Sequence, residues 1–96
     1  MNLPFCVYIL FSEKDRQLYI GYSSDIVKRL EQHISGQNIS TKHRGPWKLI
    51  FIEYYLFKED AKKREKYFKT TIGKRTLKLM LSSTLSILEY KSNNLK

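Results

Sequence analysis

Residues 5–22 read FCVYILFSEKDRQLYIGY, two short apolar and aromatic runs held apart by a polar hexapeptide. Residues 5–11 and 18–22 have the β-branched and aromatic content of strands, and residues 12–17 have the composition of a turn. That pattern is a β-hairpin. The turn contains no glycine, so a loop longer than two residues is expected, built on the turn chemistry of Ser12 and Asp15. With Phe11 opposite Arg16, Tyr8 and Tyr19 stand directly across from each other on one sheet face with their hydroxyls converging, although a tyrosine pair on a small sheet is more often core or stacking surface. Gly21, inside the second strand, marks close approach by a ligand or another backbone.

Outward from the hairpin, the spacing becomes helical at Ser24. Ile26, Val27, Leu30 and Ile34 share a face, Ser24 or Asp25 is the N-cap, and Gly36 stands just beyond the end. Residues 37–45 form a polar, basic loop ending in Gly-Pro that is placed to cover or contact a ligand. A third strand is expected over 47–56. A second helix follows over 58–72, with Phe57, Ala61, Phe68 and Ile72 on one line and Gly73 as its C′ residue. A short third helix holds Leu77, Met80 and Leu81, after which the pattern weakens. The expected fold class is α+β, a small three-stranded antiparallel sheet flanked by helices in the order β-β-α-β-α-α. One domain is expected over 1–83, followed by a weakly patterned C-terminal tail, 84–96.

The 96 residues carry a formal net charge of +9, and residues 58–78 alone hold +6 of it. On a helix, that excess makes a stripe suited to a polyanion, with affinity falling as salt rises; the alternative is a solvated surface. Cys6 is the only cysteine, which excludes an intrachain disulfide and a cysteine-cluster zinc site and points to an intracellular, cytoplasmic protein. The opening apolar run is too short to span a bilayer, so no membrane association is expected.

Glu65 is the anomaly in this pattern. At 100° per residue it falls within the stripe of Ala61, Phe68 and Ile72. A carboxylate there requires a cation, a hydrogen-bonded partner, a metal or a watery notch, and an ion pair with Arg29 or a lysine would serve as well as a metal. Arg29 and His33 lie four apart at the border of the first helix's apolar stripe. There an arginine can neutralise a phosphate and a histidine can relay a proton or hold a tyrosine hydroxyl, although such positions are more often simple rim residues.

Cys6-Val7-Tyr8, ten further residues, and then Tyr19-Ile20-Gly21 together resemble the motif of the GIY-YIG nuclease family. The second half matches to the letter; in the first half Cys6 and Val7 replace the glycine and isoleucine. The resemblance continues in order through Arg29, His33, Gly36, Thr41-Lys42, Pro46-Trp47, Ala61 and Glu65, covering residues 5–80. The chain looks like the compact stand-alone members, and is similar to the N-terminal incision domain of the bacterial excision-repair endonuclease.

The resemblance implies a DNA endonuclease whose catalytic residues are Tyr8, Tyr19, Arg29, His33 and Glu65, with Gly21 and Gly36 as structural motif positions. Glu65 would bind Mg²⁺ or another divalent cation such as Mn²⁺. Tyr8, helped by Tyr19 or His33, would deprotonate the attacking water while Arg29 stabilises the phosphate charge. Branched, damaged or duplex DNA would be held by Lys42, Arg44, Lys62, Lys63, Lys66 and Lys69, and the protein would act as a monomer. An additional late polar residue of the family has four candidates here: Ser82, Ser83, Asn93 and Asn94. The alternatives are a catalytically inactive nucleic-acid-binding module of the same fold, or a protein-interaction adaptor whose charge is incidental.

Overall fold

A computed structural model describes residues 2–91. The hairpin forms from β1 (Phe5–Ser12) and β2 (Leu18–Ser23), followed by α1 (Ile26–Ser35), β3 (Trp47–Tyr55), α2 (Lys58–Phe68), α3 (Thr71–Met80) and α4 (Ser82–Ile87). β1 is the central strand, antiparallel to β2 on one side and β3 on the other. The fold is α+β, a three-stranded antiparallel sheet flanked by helices, as expected.

The turn uses the two residues the sequence singled out. Ser12 Oγ accepts from the backbone N–H of Lys14 (3.2 Å) and Asp15 (3.1 Å), and Asp15 Oδ1 accepts from the N–H of Gln17 (3.0 Å). The register differs from expectation by two residues. Phe11 pairs with Leu18 rather than Arg16, because Arg16 is taken into the loop in a left-handed conformation (φ 58°). Tyr19 therefore faces Leu10, and Tyr8 faces Gly21. A shift of two preserves which face each side chain occupies, so both tyrosines stay on the same side of the sheet.

Alternation along β1 divides the core. Val7 and Ile9 face one way and pack with Ile20, Ala61, Phe68 and Leu77, beneath α2 and α3. Cys6, Tyr8 and Leu10 face the other way and pack with Tyr19, Ile26, Leu30, Trp47 and Ile52, beneath α1. The central strand is buried on both faces because each is covered by helix, which explains its unbroken apolar run.

Three sequence expectations give way in the helices. In α1 the buried face is centred on Ile26, Leu30 and His33, whereas Val27 and Ile34 are exposed. His33 lies about 20° from Ile26 on the helical wheel, while Val27 and Ile34 lie about 80–100° away. The second helix ends at Phe68, not Ile72, because Thr70 caps a new helix by accepting from the Gly73 N–H. Ile72 and Phe57 are accordingly exposed and take no part in a buried line. Finally, the weakly patterned segment after Leu81 forms α4, whose Leu85 is buried. A six-residue helix shows too little periodicity for its one buried residue to stand out.

Gly73 is not a helix terminator but a contact point. A Cβ there would lie 1.8 Å from the Tyr67 carbonyl oxygen, so the close α2–α3 corner admits only glycine. In an ordinary helix interior Gly→Ala stabilises by about 1 kcal/mol. Here Gly73→Ala should destabilise by about 2 kcal/mol or more through overpacking, measured by urea unfolding. An unchanged or raised stability would show that the corner is looser than described.

Candidate active site

The site is built on the α1 face of the hairpin. Tyr8 is fully buried, and its ring lies directly over Gly21, where a Cβ would come within 2.4 Å of the ring and hydroxyl. Gly21 was expected to mark close approach by a ligand or a backbone. The group that approaches is the Tyr8 phenol itself, brought over Gly21 by the observed register. α1, capped by Asp25 Oδ1 on the Lys28 N–H (3.1 Å) and closed at Gly36 (φ 80°), turns His33 inward onto this phenol.

The Tyr8 hydroxyl and His33 Nε2 are 2.8 Å apart, and His33 Nδ1 is 2.7 Å from Thr41 Oγ1. Tyr19, half-buried, completes the aromatic wall, with ring centroids 6.3 Å from Tyr8, 5.2 Å from His33 and 6.1 Å from Trp47. Trp47 in turn donates from Nε1 to the Thr41 carbonyl (3.1 Å). Thr41 is thus held from two sides and is fully buried. It was legible in the sequence only as part of a matching loop; nothing in composition marks a threonine as the partner of a histidine eight residues away.

Electrostatics keep the pair neutral in the resting protein. Burial pushes the Tyr8 phenol up to about 12, against the Arg29 guanidinium beside it, which favours phenolate. Burial also lowers His33 below its ordinary value, and the nearby positive charge of Arg29 adds to that effect. Arg29 Nη1 donates to the Tyr22 carbonyl (3.1 Å), so the guanidinium is fixed at the end of β2. Burial likewise raises the Cys6 thiol, which neighbours Arg29, so this cysteine stays protonated and inert.

Glu65 stands at the rim of the α2 face rather than in the middle of its apolar contact. Ala61 and Phe68 are fully buried, whereas Glu65 retains 20% exposure and meets Lys69 Nζ through Oε2 at 3.0 Å. The lysine pairing considered for this carboxylate is the one present. Glu65 also acts on Tyr22, whose phenol is raised first by burial and also by the charge of Glu65, and lowered by Arg29. Tyr22 thus feels the charges of both Arg29 and Glu65.

No group of three or more His, Cys, Asp or Glu side chains is placed to hold a metal ion among the described residues. Glu65 offers one carboxylate at the rim of this face. That fits an ion such as Mg²⁺, which keeps several waters and takes few protein ligands.

The basic residues divide by position. Lys62 and Lys66 on α2 and Lys69 at its C-cap fall within about 60° of one another, to one side of Glu65, with Lys62 Nζ 4.7 Å above the Tyr22 ring. Lys63 lies off that stripe, 3.8 Å from Asp60. Lys42 is exposed on the loop beside Thr41. Arg44 is engaged in fastening the loop to the hairpin turn, bonding Asp15 at 2.7 Å and lying 4.9 Å over the Trp47 ring. Ser82 and Ser83 are exposed in the first turn of α4, while Asn93 and Asn94 lie outside the described residues.

Comparison with known proteins matches the amino-acid sequence to a family. The family model described as the GIY-YIG catalytic domain matches residues 4–78. A UPF0213 protein of Clostridium perfringens is 40% identical over 86 residues, covering 88% of this chain and 91% of the relative. A UPF0213 protein of Staphylococcus saprophyticus is 43% identical over 68 residues, 70% of this chain and 83% of the relative. A UPF0213 protein of Staphylococcus aureus is 40% identical over 67 residues, 69% and 82% of the two chains. No solved structure matches the chain.

The raised Tyr8 phenol has a consequence for stability. Its folded value exceeds its unfolded value of about 10, so its contribution is complete below pH 10 and is lost as pH rises towards about 12. The loss amounts to about 2–3 kcal/mol. Tyr55, also raised to about 12 by burial and its bond to Glu53, adds a decline of its own in any variant that keeps it. The stability gap between wild type and Tyr8→Phe should therefore narrow between pH 10 and 12 in urea unfolding. A gap constant across that range would mean that Tyr8 ionises like an exposed phenol.

Proposed function

The chain belongs to the GIY-YIG catalytic domain family, which is of nuclease type, and from that premise we propose that it is a metal-dependent endonuclease cutting DNA phosphodiesters by in-line attack of a tyrosine-activated water. The observation that carries this reading is the buried Tyr8–His33 contact of 2.8 Å beside Arg29. A phenol raised to about 12 is ionised at pH 7 roughly once in 10⁵ molecules, a deficit of roughly 7 kcal/mol. Tyrosine can serve as a base only where a neighbour takes its proton and a positive charge favours the phenolate. His33, kept neutral, is the acceptor, and Arg29 supplies the charge.

In the proposed reaction the Tyr8 proton passes to His33 Nε2 and the phenolate takes a proton from a water admitted with the substrate to the otherwise buried hydroxyl. The resulting hydroxide forms the new bond to phosphorus as the opposite ester bond breaks, its electron pair leaving on the departing oxygen. Arg29 stabilises charge gathering on the phosphate oxygens, and Tyr19 walls the water in. Glu65 would hold the divalent ion, Mg²⁺ or Mn²⁺, which when bound neutralises the phosphate and the leaving oxygen. Lys62 and Lys66 beside Glu65 would seat the flanking phosphates, with exposed Lys42 and Lys63 as outer contacts. Arg44 would hold the loop in shape more than it meets DNA.

A second reading, nucleic-acid binding without turnover, draws support from the Lys69–Glu65 ion pair, which already satisfies one carboxylate oxygen. The two separate cleanly. In a Mg²⁺-dependent nicking assay on duplex and branched DNA, Tyr8→Phe, Arg29→Ala and Glu65→Ala should each lower cleavage by about 10²-fold or more while the fold persists. Wild type that binds DNA in a salt-dependent way yet cuts no substrate with any divalent ion, with Glu65→Ala binding equally well, would establish the second reading instead. Lys62→Ala and Lys66→Ala should weaken binding across sequences and reduce its salt slope, by about one unit each if each contacts one phosphate.

A further inference from the structure

We propose that Thr41 is a positioning residue that locks His33 in the tautomer with its proton on Nδ1, leaving Nε2 bare to receive the proton of Tyr8. The inference rests on the tyrosine-base reading for its use in catalysis, but the tautomer itself follows from counting donors and acceptors in a closed site. Tyr8 and Thr41 are fully buried and His33 is 3% exposed, so an unmatched donor among them is costly.

Two arrangements of protons are available. With the proton on Nδ1, Tyr8 O–H donates to Nε2 (2.8 Å) and Nδ1–H donates to Thr41 Oγ1 (2.7 Å). Thr41 O–H then has the Asn38 carbonyl, 3.5 Å away, as its acceptor. Every donor in the chain has an acceptor. With the proton on Nε2, both bonds reverse: Nε2–H donates to the Tyr8 oxygen and Thr41 O–H donates to Nδ1. In the resting site, before water or phosphate enters, the Tyr8 proton then loses the one acceptor it has among the described residues, and the Arg29 guanidinium beside it carries only donors. The first arrangement satisfies all the groups and the second strands one buried donor, so the first is favoured.

The position of Thr41 makes the lock firm. Its backbone carbonyl takes the Trp47 Nε1–H (3.1 Å) and its N–H bonds the Asn38 carbonyl (3.1 Å). The loop around it is fastened to the hairpin turn through Ser12 Oγ to the Arg44 carbonyl (2.6 Å), Lys14 Nζ to the His43 carbonyl (3.0 Å) and the Arg44–Asp15 pair. The basic loop expected to contact ligand thus has a second task. It delivers one hydroxyl to the back of the histidine.

Long-range ¹H–¹⁵N correlation spectra of the uniformly labelled full chain, at a pH where His33 is neutral, read the tautomer directly. His43 is separated from His33 with a His43→Gln sample. Wild type should show His33 protonated at Nδ1, Thr41→Ser should keep that pattern, and Thr41→Val, which removes the acceptor at similar volume, should shift the population towards Nε2–H. A wild-type spectrum dominated by Nε2–H, or a Thr41→Val spectrum identical to wild type, would overturn the proposal. If Thr41→Val fails to fold, the wild-type tautomer and its retention in Thr41→Ser still decide. No cleavage enters the readout, so an inactive wild type would count against the nuclease reading and not against the tautomer.

Discussion

A tyrosine hydroxyl sealed inside a protein must find a partner, and in this chain the partner is a histidine one helix away. The 2.8 Å contact between Tyr8 and His33 Nε2 is the constraint around which the α1 half of the molecule is arranged. It requires that nothing stand between phenol and sheet, and Gly21 provides that space. It requires that α1 turn a polar residue inward where an isoleucine was available one position along, and the helix does so, leaving Ile34 in solvent. It also requires that the far side of the imidazole be satisfied, which Thr41 accomplishes. Each buried polar side chain in this network has a hydrogen-bond partner, and a satisfied network of this kind fixes its members in one geometry.

The second half of the site is electrostatic and lies around the end of β2. Arg29 is anchored to the Tyr22 carbonyl, and Glu65 approaches the same tyrosine from α2. The charges of both groups therefore act on one tyrosine from helices on opposite faces of a sheet only three strands wide. In so narrow a sheet, helices on the two faces can both reach the edge strand. Lys62 and Lys69 gather on the same side as Glu65, with Lys66 beside them, so much of the most basic segment of the chain and its one anomalous carboxylate share a surface. That juxtaposition suits a polyanion whose phosphate must be gripped and also polarised.

Much of this was readable in advance, for identifiable reasons. Strand and helix periods survive small errors of register, so the same-face placement of Tyr8 and Tyr19 was foreseen although their pairing was shifted by two residues. Glu65 stood out because a carboxylate within an apolar stripe has few explanations, and it did lie at the boundary of the buried face with a lysine partner. The misses have a common cause. Ile34 and Ile72 are hydrophobic residues that tertiary packing leaves exposed, and a sequence pattern counts them as core. Thr41 and Gly73 owe their importance to contacts with residues distant in the chain or around a sharp corner, which no local period encodes. α4 was missed because one buried leucine in six residues gives no period at all.

That Glu65 and Tyr8 address the same phosphate is the point on which the functional account turns. Anomalous diffraction from crystals grown with Mn²⁺ and a phosphate-bearing oligonucleotide measures it most directly. The expected result is a single strong peak at the Glu65 carboxylate, with Lys69 displaced from Oε2 and a phosphate oxygen lying between the ion and the Tyr8 hydroxyl. A peak on any other group, or a phosphate bound by the lysines with the Lys69–Glu65 pair intact and no ion beside it, would contradict it.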